Sequence, residues 1–205
     1  MLHSGVTQGT PMNIPFGAGV YFTGVTYDEK VAPTEDAVKA AIKGATQEGG
    51  TLTITPEFFD VPADGVLVPV EELKVKVGEK AMMEVSFIEL TAEFVKNQVI
   101  GKLGATTDGD FDVITSDEHL RKGHFYEGFG FWGHLLDGRE MIVIFKKALC
   151  TSGHTSEPKT KVNTVFKGTF ECHSDIEYGV QKLPYAIFIR KAEGWTAVNA
   201  SDVAA

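Results

Sequence analysis

The sequence predicts a mainly β protein, and three observations carry that prediction. Glycine is frequent, at 22 of 205 residues, and phenylalanine leads the aromatic residues at 14, a mix typical of turn-rich β structure. Alternating apolar and polar runs recur along the chain. Two of these runs are separated by the Asp-Gly pair at 137–138, which is a strong hairpin signal. Helical periodicity is confined to two short stretches.

Composition narrows the class further. With 43% hydrophobic residues and 205 residues in all, the chain suits one domain with extended arms. The 19 basic and 28 acidic side chains give a formal net charge of −9, which argues against sequence-specific binding of nucleic acid. The N-terminus lacks the basic start and apolar core of a signal peptide, and no stretch reaches membrane-spanning length. Cys150 and Cys172 are expected to be reduced thiols.

The first third of the chain begins with an arm and then alternates between strand and helix. Residues 1–19, rich in Gly, Pro, Ser and Thr, are predicted to form an N-terminal arm. A first strand follows at 20–27. A short helix is predicted over 34–43, capped by Thr34 and ended by Gly44. Its thin apolar face predicts a position on the surface.

The next segment predicts a strand, a loop and a hairpin. Residues 51–61 alternate like a half-buried strand, and Pro56 excludes the interior of a sheet beyond that point. A long loop follows at 60–73, and loops of this length are more often functional than idle. The run 74–90 is predicted to form a hairpin that turns at Gly78-Glu79.

The rest of the chain is predicted to contain one core helix and several strands. The helix spans 91–103, with Thr91 as its cap and apolar residues at helical spacing. An acidic loop is expected at 106–118. The remaining strands are predicted within 124–136, 139–149, 161–173 and 184–191, with a polar loop at 151–161 and a C-terminal tail at 192–205.

Two glycine motifs imitate nucleotide-binding sites. The stretch "GATQEGGT" at 44–51 approaches a P-loop, but Gly50 stands where the lysine belongs, and it joins a helix to a strand instead of the reverse. The stretch "GFGFWG" at 128–133 matches G-x-G-x-x-G within an aromatic strand and not at a turn that opens a helix. Both are interpreted as structural glycines.

The sequence offers no catalytic constellation and no typical metal site. Cys150 with His154, and Cys172 with His173, do not have a recognised zinc spacing, and cysteines next to apolar runs favour the core. The remaining histidines are scattered, and His124 and His134 are expected at the surface or rim of a strand. The prediction is a protein without enzymatic activity, cofactor or metal.

Several segments, in order, resemble the major tail protein (tail tube protein) of phages and prophages of Gram-positive bacteria. They are "GAGVYF" at 17–22, "KGATQEGGTLTITPEFFDVPADG" at 43–65, "SFIELTAEFVKNQVIGKLGA" at 86–105, "GFWGHLLDGREMIVIFKKAL" at 130–149 and "VFKGTFECHSD" at 165–175. The family pattern has a GAT-x-GG turn, a strand running through LLELT into a helix, and a late F-x-G-H-x-D. The helix at 34–43 departs from that pattern as an insertion.

The resemblance implies a β-sandwich of two roughly orthogonal sheets with a flanking helix, a long stacking loop and extended arms. Six copies would form a ring, and rings would stack into a tube whose negative lumen passes DNA without binding it. The implied partners are other copies, the tail-tip initiator, the tape-measure and terminator proteins, in a virion tail assembled in the host cytoplasm and without a membrane. The candidates for contact between rings are Asp60, Asp64, Val66, Leu67, Val70, Glu71 and Glu72. The candidates for the lumen or an acidic surface are Asp108, Asp110, Asp112, Asp117 and Glu118.

An alternative is an all-β virion surface or carbohydrate-binding module. Aromatic side chains can stack on sugars, although aromatic residues in alternating runs more often belong to a core. The residues concerned are Phe125, Tyr126, Phe129, Phe131, Trp132 and Trp195.

Overall fold

The computed structural model describes residues 19–65, 67–156 and 164–191, with the backbone alone at positions 47 and 48. Within these residues the chain forms nine strands, all paired antiparallel, and two α-helices. The strands are β1 (Val20–Phe22), β2 (Thr46–Asp60), β3 (Lys74–Phe87), β4 (Gly101–Ala105), β5 (Asp112–Ser116), β6 (Tyr126–His134), β7 (Glu140–Cys150), β8 (Phe166–Cys172) and β9 (Tyr185–Ile189). The helices are α1 (Glu35–Ala41) and α2 (Ala92–Gln98), and 3-10 turns cover Glu71–Leu73 and Lys122–His124.

Strand β7 joins two layers of β structure. Seven strands are hydrogen-bonded in the order β1-β6-β7-β8-β3-β2, with β9 as a further partner of β7. One edge of β7 pairs with β6, while its other edge pairs with β9 at 141–145 and with β8 at 148–150. Side chains of β1, β6 and β7 meet those of β3 and β8 in one hydrophobic cluster. The fold is therefore mainly β, a β-sandwich with a flanking helix, as predicted from the sequence.

Alternation along β7 supplies two cores, one on each face of its layer. Val143 and Phe145 face the cluster between the layers, whereas Ile142 and Ile144 face a second cluster under α1. That second cluster includes Val38, the buried residue of α1. Ala41 packs against the same cluster and its carbonyl oxygen accepts the Thr23 N–H at 3.2 Å, so the predicted surface helix is fixed to the sandwich at both residues.

Aromatic rings dominate the core between the layers. The Phe170 ring stacks on the Phe129 ring with a centroid separation of 4.3 Å, and Phe87 meets Phe170 edge-on at 6.1 Å. Phe94 of α2 packs edge-on against Phe87 at 4.6 Å, which holds this helix on the flank of the sandwich. The two edge-on separations lie within the range of about 4.5–7 Å that favours aromatic pairs, and the stacked pair is slightly closer.

The predicted hairpin turn at Gly78-Glu79 is wrong. Strand β3 runs unbroken through both residues, and its hairpin partner is β2, joined through 61–73. Gly78 lies opposite Glu57 beside a register shift in the ladder. A Cβ at Gly78 would come within 2.9 Å of a Glu57 carboxylate oxygen. The glycine therefore marks an irregularity inside a strand and not a turn.

The helix predicted over 91–103 is too long by five residues, because it ends at Gln98. Ile100 has a left-handed backbone with φ of 52°, which breaks the helix, and Gly101 begins β4. Leu103, which extended the helical pattern in the sequence, lies exposed in that strand. Strand β4 follows α2 almost directly, and Leu103 of β4 falls at helical spacing from the apolar residues of α2 only by coincidence.

The acidic loop predicted over 106–118 is partly strand. Residues 112–116 form β5, which pairs with β4 around a turn at 106–111. The Thr106 hydroxyl accepts a hydrogen bond from the Phe111 N–H at 3.2 Å and closes the turn. The β-branched residues of β5 favour a strand. Asp117 and Glu118 follow that strand at its C-terminal end.

The first glycine motif differs in detail from the predicted turn, whereas the second lies within the aromatic strand β6, as predicted. Strand β2 starts at Thr46 and not at Thr51, so Gly49 and Gly50 lie inside it, at a register shift. A Cβ on Gly50 would overlap the Tyr21 hydroxyl and a backbone carbonyl oxygen of β3. This close approach brings β1 of one layer against β2 of the other. The first strand is also shorter than predicted, ending at Phe22.

The local signals at helix ends and at the Asp-Gly turn are confirmed. The Thr34 and Thr91 hydroxyls each accept a backbone N–H at 3.3 Å and cap α1 and α2. Gly44 has a φ of 80° just beyond α1, and Gly138 has a φ of 85° in the turn between β6 and β7. None of the described helices is long and apolar enough to cross a membrane. The predicted arm at 1–18 and tail at 192–205 lie outside the described residues.

Candidate assembly surface

The far half of the β2–β3 hairpin extends beyond the rest of the sheet. Strand β8 pairs with β3 only from Met82 to Phe87, so among the described residues the hairpin beyond this point pairs only with itself. We call residues 56–61 and 73–79 the distal ribbon. The distal ribbon continues β2 and β3 of the sheet, and at its base the Tyr185 hydroxyl of β9 donates to a Glu79 carboxylate oxygen at 3.0 Å.

Apolar side chains of the distal ribbon are exposed to water. Phe58 and Phe59 are 57% and 52% exposed, and Val75 and Val77 are exposed as well. Single exposed apolar residues are ordinary, but a contiguous group marks an interaction surface. The distal ribbon is therefore the candidate site of this protein.

Strand alternation gives the distal ribbon two different faces. Phe59 lies opposite Val75, which makes one face apolar. Phe58 shares the other face with Asp60 and Lys74. The Lys74 ammonium nitrogen lies 2.8 Å from a carboxylate oxygen of Asp60 and 5.7 Å from the centre of the Phe58 ring. Opposite charges thus flank an aromatic ring on this second face.

The loop that closes the ribbon contains the residues predicted to contact a neighbouring ring. It is anchored where the Val61 N–H donates to the Leu73 carbonyl oxygen at 2.8 Å. Val70 is partly buried, and Val66 lies outside the described residues. Asp60, Asp64, Leu67, Glu71 and Glu72 are all exposed, Leu67 to 94%. The structure brings these residues together at one end of the molecule.

The apolar residues of the ribbon were missed in the sequence, although a signal was present. Neighbouring residues in a strand point to opposite faces, so Phe58 and Phe59 cannot face the same core. Pro56 favours a strand at the edge of a sheet, and aromatic residues on both faces of an edge strand are a signal for a contact surface.

The predicted acidic residues occupy a second projection, the β4–β5 ribbon (residues 101–116). Asp108, Asp110 and Asp112 lie exposed at its tip, while Asp117 and Glu118 follow β5 at its base. Five strand residues separate tip from base, which corresponds to about 17 Å. The five carboxylates therefore form two groups and not one acidic surface.

Asp117 anchors this ribbon and is not an open acidic charge, unlike the prediction. Its side chain is 1% exposed, and its carboxylate oxygens lie 2.8 Å from Arg121 Nε and 3.3 Å from Lys102 Nζ. Burial alone would raise the pKa of this carboxyl, but a hydrogen bond from the His119 N–H and the contacts with Arg121 and Lys102 lower the pKa to about 2. Two basic groups neutralise the charge locally.

His124 is buried, so its predicted place at the surface is wrong. Its Nδ1 accepts the Arg121 N–H at 3.0 Å, and its Nε2 donates to the Gly101 carbonyl oxygen at 3.1 Å. Both ring nitrogens are hydrogen-bonded, so burial of the imidazole leaves neither of them without a partner. The imidazole joins the 3-10 turn before β6 to the start of β4.

The cysteines and histidines do not converge. Cys150 and Cys172 are free and buried, as predicted, and burial raises the pKa of the Cys172 thiol to about 12, with further contributions from nearby carboxylates. Such a thiol is protonated at neutral pH and is a poor nucleophile or ligand. His154 Nδ1 lies 2.6 Å from Gln98 Oε1. The described part of the chain contains no group of three or more side chains suited to hold a metal ion.

Most aromatic residues considered for sugar stacking serve the core. Phe129 and Trp132 are buried, and Phe125, Tyr126 and Phe131 are partly buried. Trp195 lies outside the described residues. The exposed rings at Phe58 and Phe59 are on the distal ribbon instead.

Comparison with known proteins leaves the family open. No protein-family model matches the sequence, and no curated protein matches it. Among solved structures, a chain of the virion of a native gene transfer agent particle matches 91% of this chain and 100% of its own length, with a TM-score of 0.39 and 10% sequence identity. A likeness this distant supports no conclusion about function.

Proposed function

We propose that this chain is a structural subunit of a phage tail tube that assembles into stacked hexameric rings. The observation that carries the proposal is the distal ribbon, which pairs only with itself among the described residues and exposes two phenylalanine rings. Exposed apolar rings do not stabilise a monomer, whereas a subunit that assembles removes them from water in the interface. The sequence segments that resemble tail tube proteins, in the same order along the chain, are the reason for proposing a tail tube as the assembly.

The proposed tube has a lumen that passes DNA without holding it. Each copy carries a formal net charge of −9, and a negative wall repels phosphates, whereas a basic wall would release counterions and bind them. Asp108, Asp110 and Asp112, exposed at the tip of the β4–β5 ribbon, are the proposed acidic contribution from this segment. The role needs neither catalysis nor a cofactor.

The proposed partners follow from the position of a tube in a tail. Copies of the chain meet within and between rings, and the loop at 61–73 is proposed to reach the neighbouring ring. The tail-tip initiator, the tape-measure protein and the terminator protein complete the set. The subunit would be assembled in the bacterial cytoplasm and would remain in the virion tail, without a membrane.

Electron microscopy of the purified protein tests the proposal. Concentrated or seeded protein is expected to form hexameric rings or tubes in negative stain. The double variant Phe59→Glu, Leu67→Glu should remain monomeric with an unchanged circular dichroism spectrum, because both side chains are exposed. The matched control Leu103→Glu, an exposed leucine on the other ribbon, should still assemble. Wild-type protein that stays monomeric at every concentration, even with its initiator, contradicts the proposal.

A glycan array separates this proposal from the carbohydrate-binding alternative. A tube subunit is expected to bind no glycan, because its aromatic rings lie mainly in the core. Specific glycan binding that is lost in a Phe58→Ala, Phe59→Ala variant would favour a binding module instead.

A further inference from the structure

An apolar groove lies between α1 and the edge strand β1. Val20, Val38, Ile42 and Trp132 form its apolar lining, and its volume is about 220 Å³. A dry cavity of about 150 Å³ is enough to bind benzene, so a phenyl ring fits in this groove. Ile42 is 42% exposed, which leaves an apolar wall open to solvent.

The rim of the groove carries charges of both signs. Glu35 and Lys39 of α1 lie along it, with 2.6 Å between the Lys39 ammonium nitrogen and a Glu35 carboxylate oxygen. Glu140 at the start of β7 is a further charged lining residue, and it is ion-paired with Arg190. The Phe58 face of the distal ribbon has the matching arrangement, since an acid–base pair of Asp60 and Lys74 flanks its ring. Lys74 can meet Glu35 while Asp60 meets Lys39. Exposed pairs add little affinity but fix orientation.

The ring that fills the groove has to come from a second copy. Tyr21, next to Val20 in the groove, lies against Gly50 of β2, and Phe58 is eight positions further along that strand. At the rise of an extended strand this places Phe58 about 26 Å away. The ladder with β3 continues past two register shifts as far as Asp60, which keeps Phe58 at the far end of the hairpin, away from the groove of its own chain.

We propose that the α1–β1 groove receives Phe58 from the distal ribbon of a neighbouring copy, with Asp60 and Lys74 of that ribbon facing Lys39 and Glu35. Ribbon and groove are different surfaces of one chain, so the contact is either reciprocal in a closed dimer or head-to-tail, and a head-to-tail contact closes into a ring or continues as a filament. The inference rests on the proposed function and assigns a role to α1, which departs from the tail tube pattern.

Cysteine crosslinking between two singly substituted chains tests the contact. Full-length Ile42→Cys and Phe58→Cys proteins are mixed, assembled and oxidised mildly. A disulfide-linked dimer is expected as the main product of the mixture and not of either protein alone. Native Cys150 and Cys172 are buried and should contribute little background. Phe111→Cys, exposed at the tip of the other ribbon, replaces Phe58→Cys in the matched control and should give no dimer.

A second variant gives an independent measure. Ile42→Glu places a charge on the groove wall and is expected to raise the critical concentration for assembly about tenfold or more. Because Ile42 is partly exposed, its thermal midpoint should match that of the wild type. An unchanged critical concentration overturns the proposal.

The outcomes separate this inference from the proposed function. Rings or tubes without the Ile42–Phe58 crosslink leave the function standing and overturn the groove contact. The crosslink in a closed dimer that never forms rings supports the groove contact and contradicts the tube. A crosslink of Ile42→Cys to Phe16→Cys within one chain would assign the groove to the segment before Gly19 and also overturn the proposal.

Discussion

The two halves of the β2–β3 hairpin both carry apolar side chains, but in opposite environments. In the near half, Met83, Val85 and Phe87 of β3 are buried against β8 and the opposite layer. In the far half, Phe58 and Phe59 of the same hairpin are exposed and the ladder has no neighbour among the described strands. Folding of one chain buries the first half, whereas the second half stays exposed and is the part proposed to contact another copy.

The contrast shows that alternation alone does not locate a core. A strand half buried in its own domain and one half buried in an interface carry the same pattern of apolar and polar residues. Only the neighbours of each strand distinguish the two cases, and strand order is a property of the fold. Substitutions in the two halves should therefore affect different measurements.

The largest effect on stability is expected in the near half. Phe87→Ala removes a ring that is 2% exposed and contacts the rings of Tyr21, Phe94 and Phe170. The free energy of unfolding should fall by about 3–5 kcal/mol, measured by urea denaturation. A loss below about 1 kcal/mol, the size typical of an average substitution, would show that the near half is not core.

The second effect tests how the near half meets β1. Gly50→Ala would drive a methyl group into the Tyr21 hydroxyl and a carbonyl oxygen of β3, and overpacking of this kind typically costs about 1–3 kcal/mol. Gly104→Ala is the matched control, because the nearest atom to its added Cβ would be 3.9 Å away. Equal unfolding midpoints for the two variants would contradict the close approach of the layers at Gly50.

Local chemistry was predictable from the sequence where a few neighbouring residues decide it. The Thr34 and Thr91 caps, the Asp137-Gly138 turn and the buried cysteines depend on adjacent residues or on simple apolar context, and all are confirmed. The mainly β class follows from the same kind of information.

Features that depend on distant partners were not predictable. In the sequence Gly78 has the pattern of a turn glycine, but in the fold it lies inside β3, opposite Glu57 of β2. In the sequence Leu103 has the spacing of a core residue of a helix, but the left-handed backbone at Ile100 ends the helix before it, and Leu103 is exposed in β4. The exposure of the distal ribbon was not predicted for the same reason, since it depends on where β8 stops pairing with β3.

The third effect concerns the other projecting ribbon and depends on pH. Asp117 has a pKa lowered to about 2, against about 3.9 for an unfolded aspartate. A depressed pKa in the folded state stabilises the protein above the unfolded value, and this contribution is lost as pH falls from about 4 to about 2. Asp117→Asn should lower stability at neutral pH and flatten the acid dependence in urea titrations.

Asp112→Asn is the control for this measurement, since it removes an exposed carboxylate from the same ribbon. It should leave both the neutral stability and the acid dependence close to those of the wild type. If the two variants behave alike, the anchor formed by Arg121 and Lys102 does not hold Asp117 in solution.

The smallest effect on stability is expected in the far half, where the same residue type is removed as at Phe87. Phe59→Ala truncates a ring that is 52% exposed, so the free energy of unfolding of the monomer should stay within about 0.5 kcal/mol of the wild type. Assembly measured by sedimentation should nevertheless be impaired, because the lost ring belongs to the face proposed to be buried between copies. A large loss of monomer stability would place Phe59 in the core of its own domain. Unchanged stability together with unchanged assembly would mean that the apolar face of the distal ribbon meets no partner, and the difference between the two halves of the hairpin would then have no functional meaning.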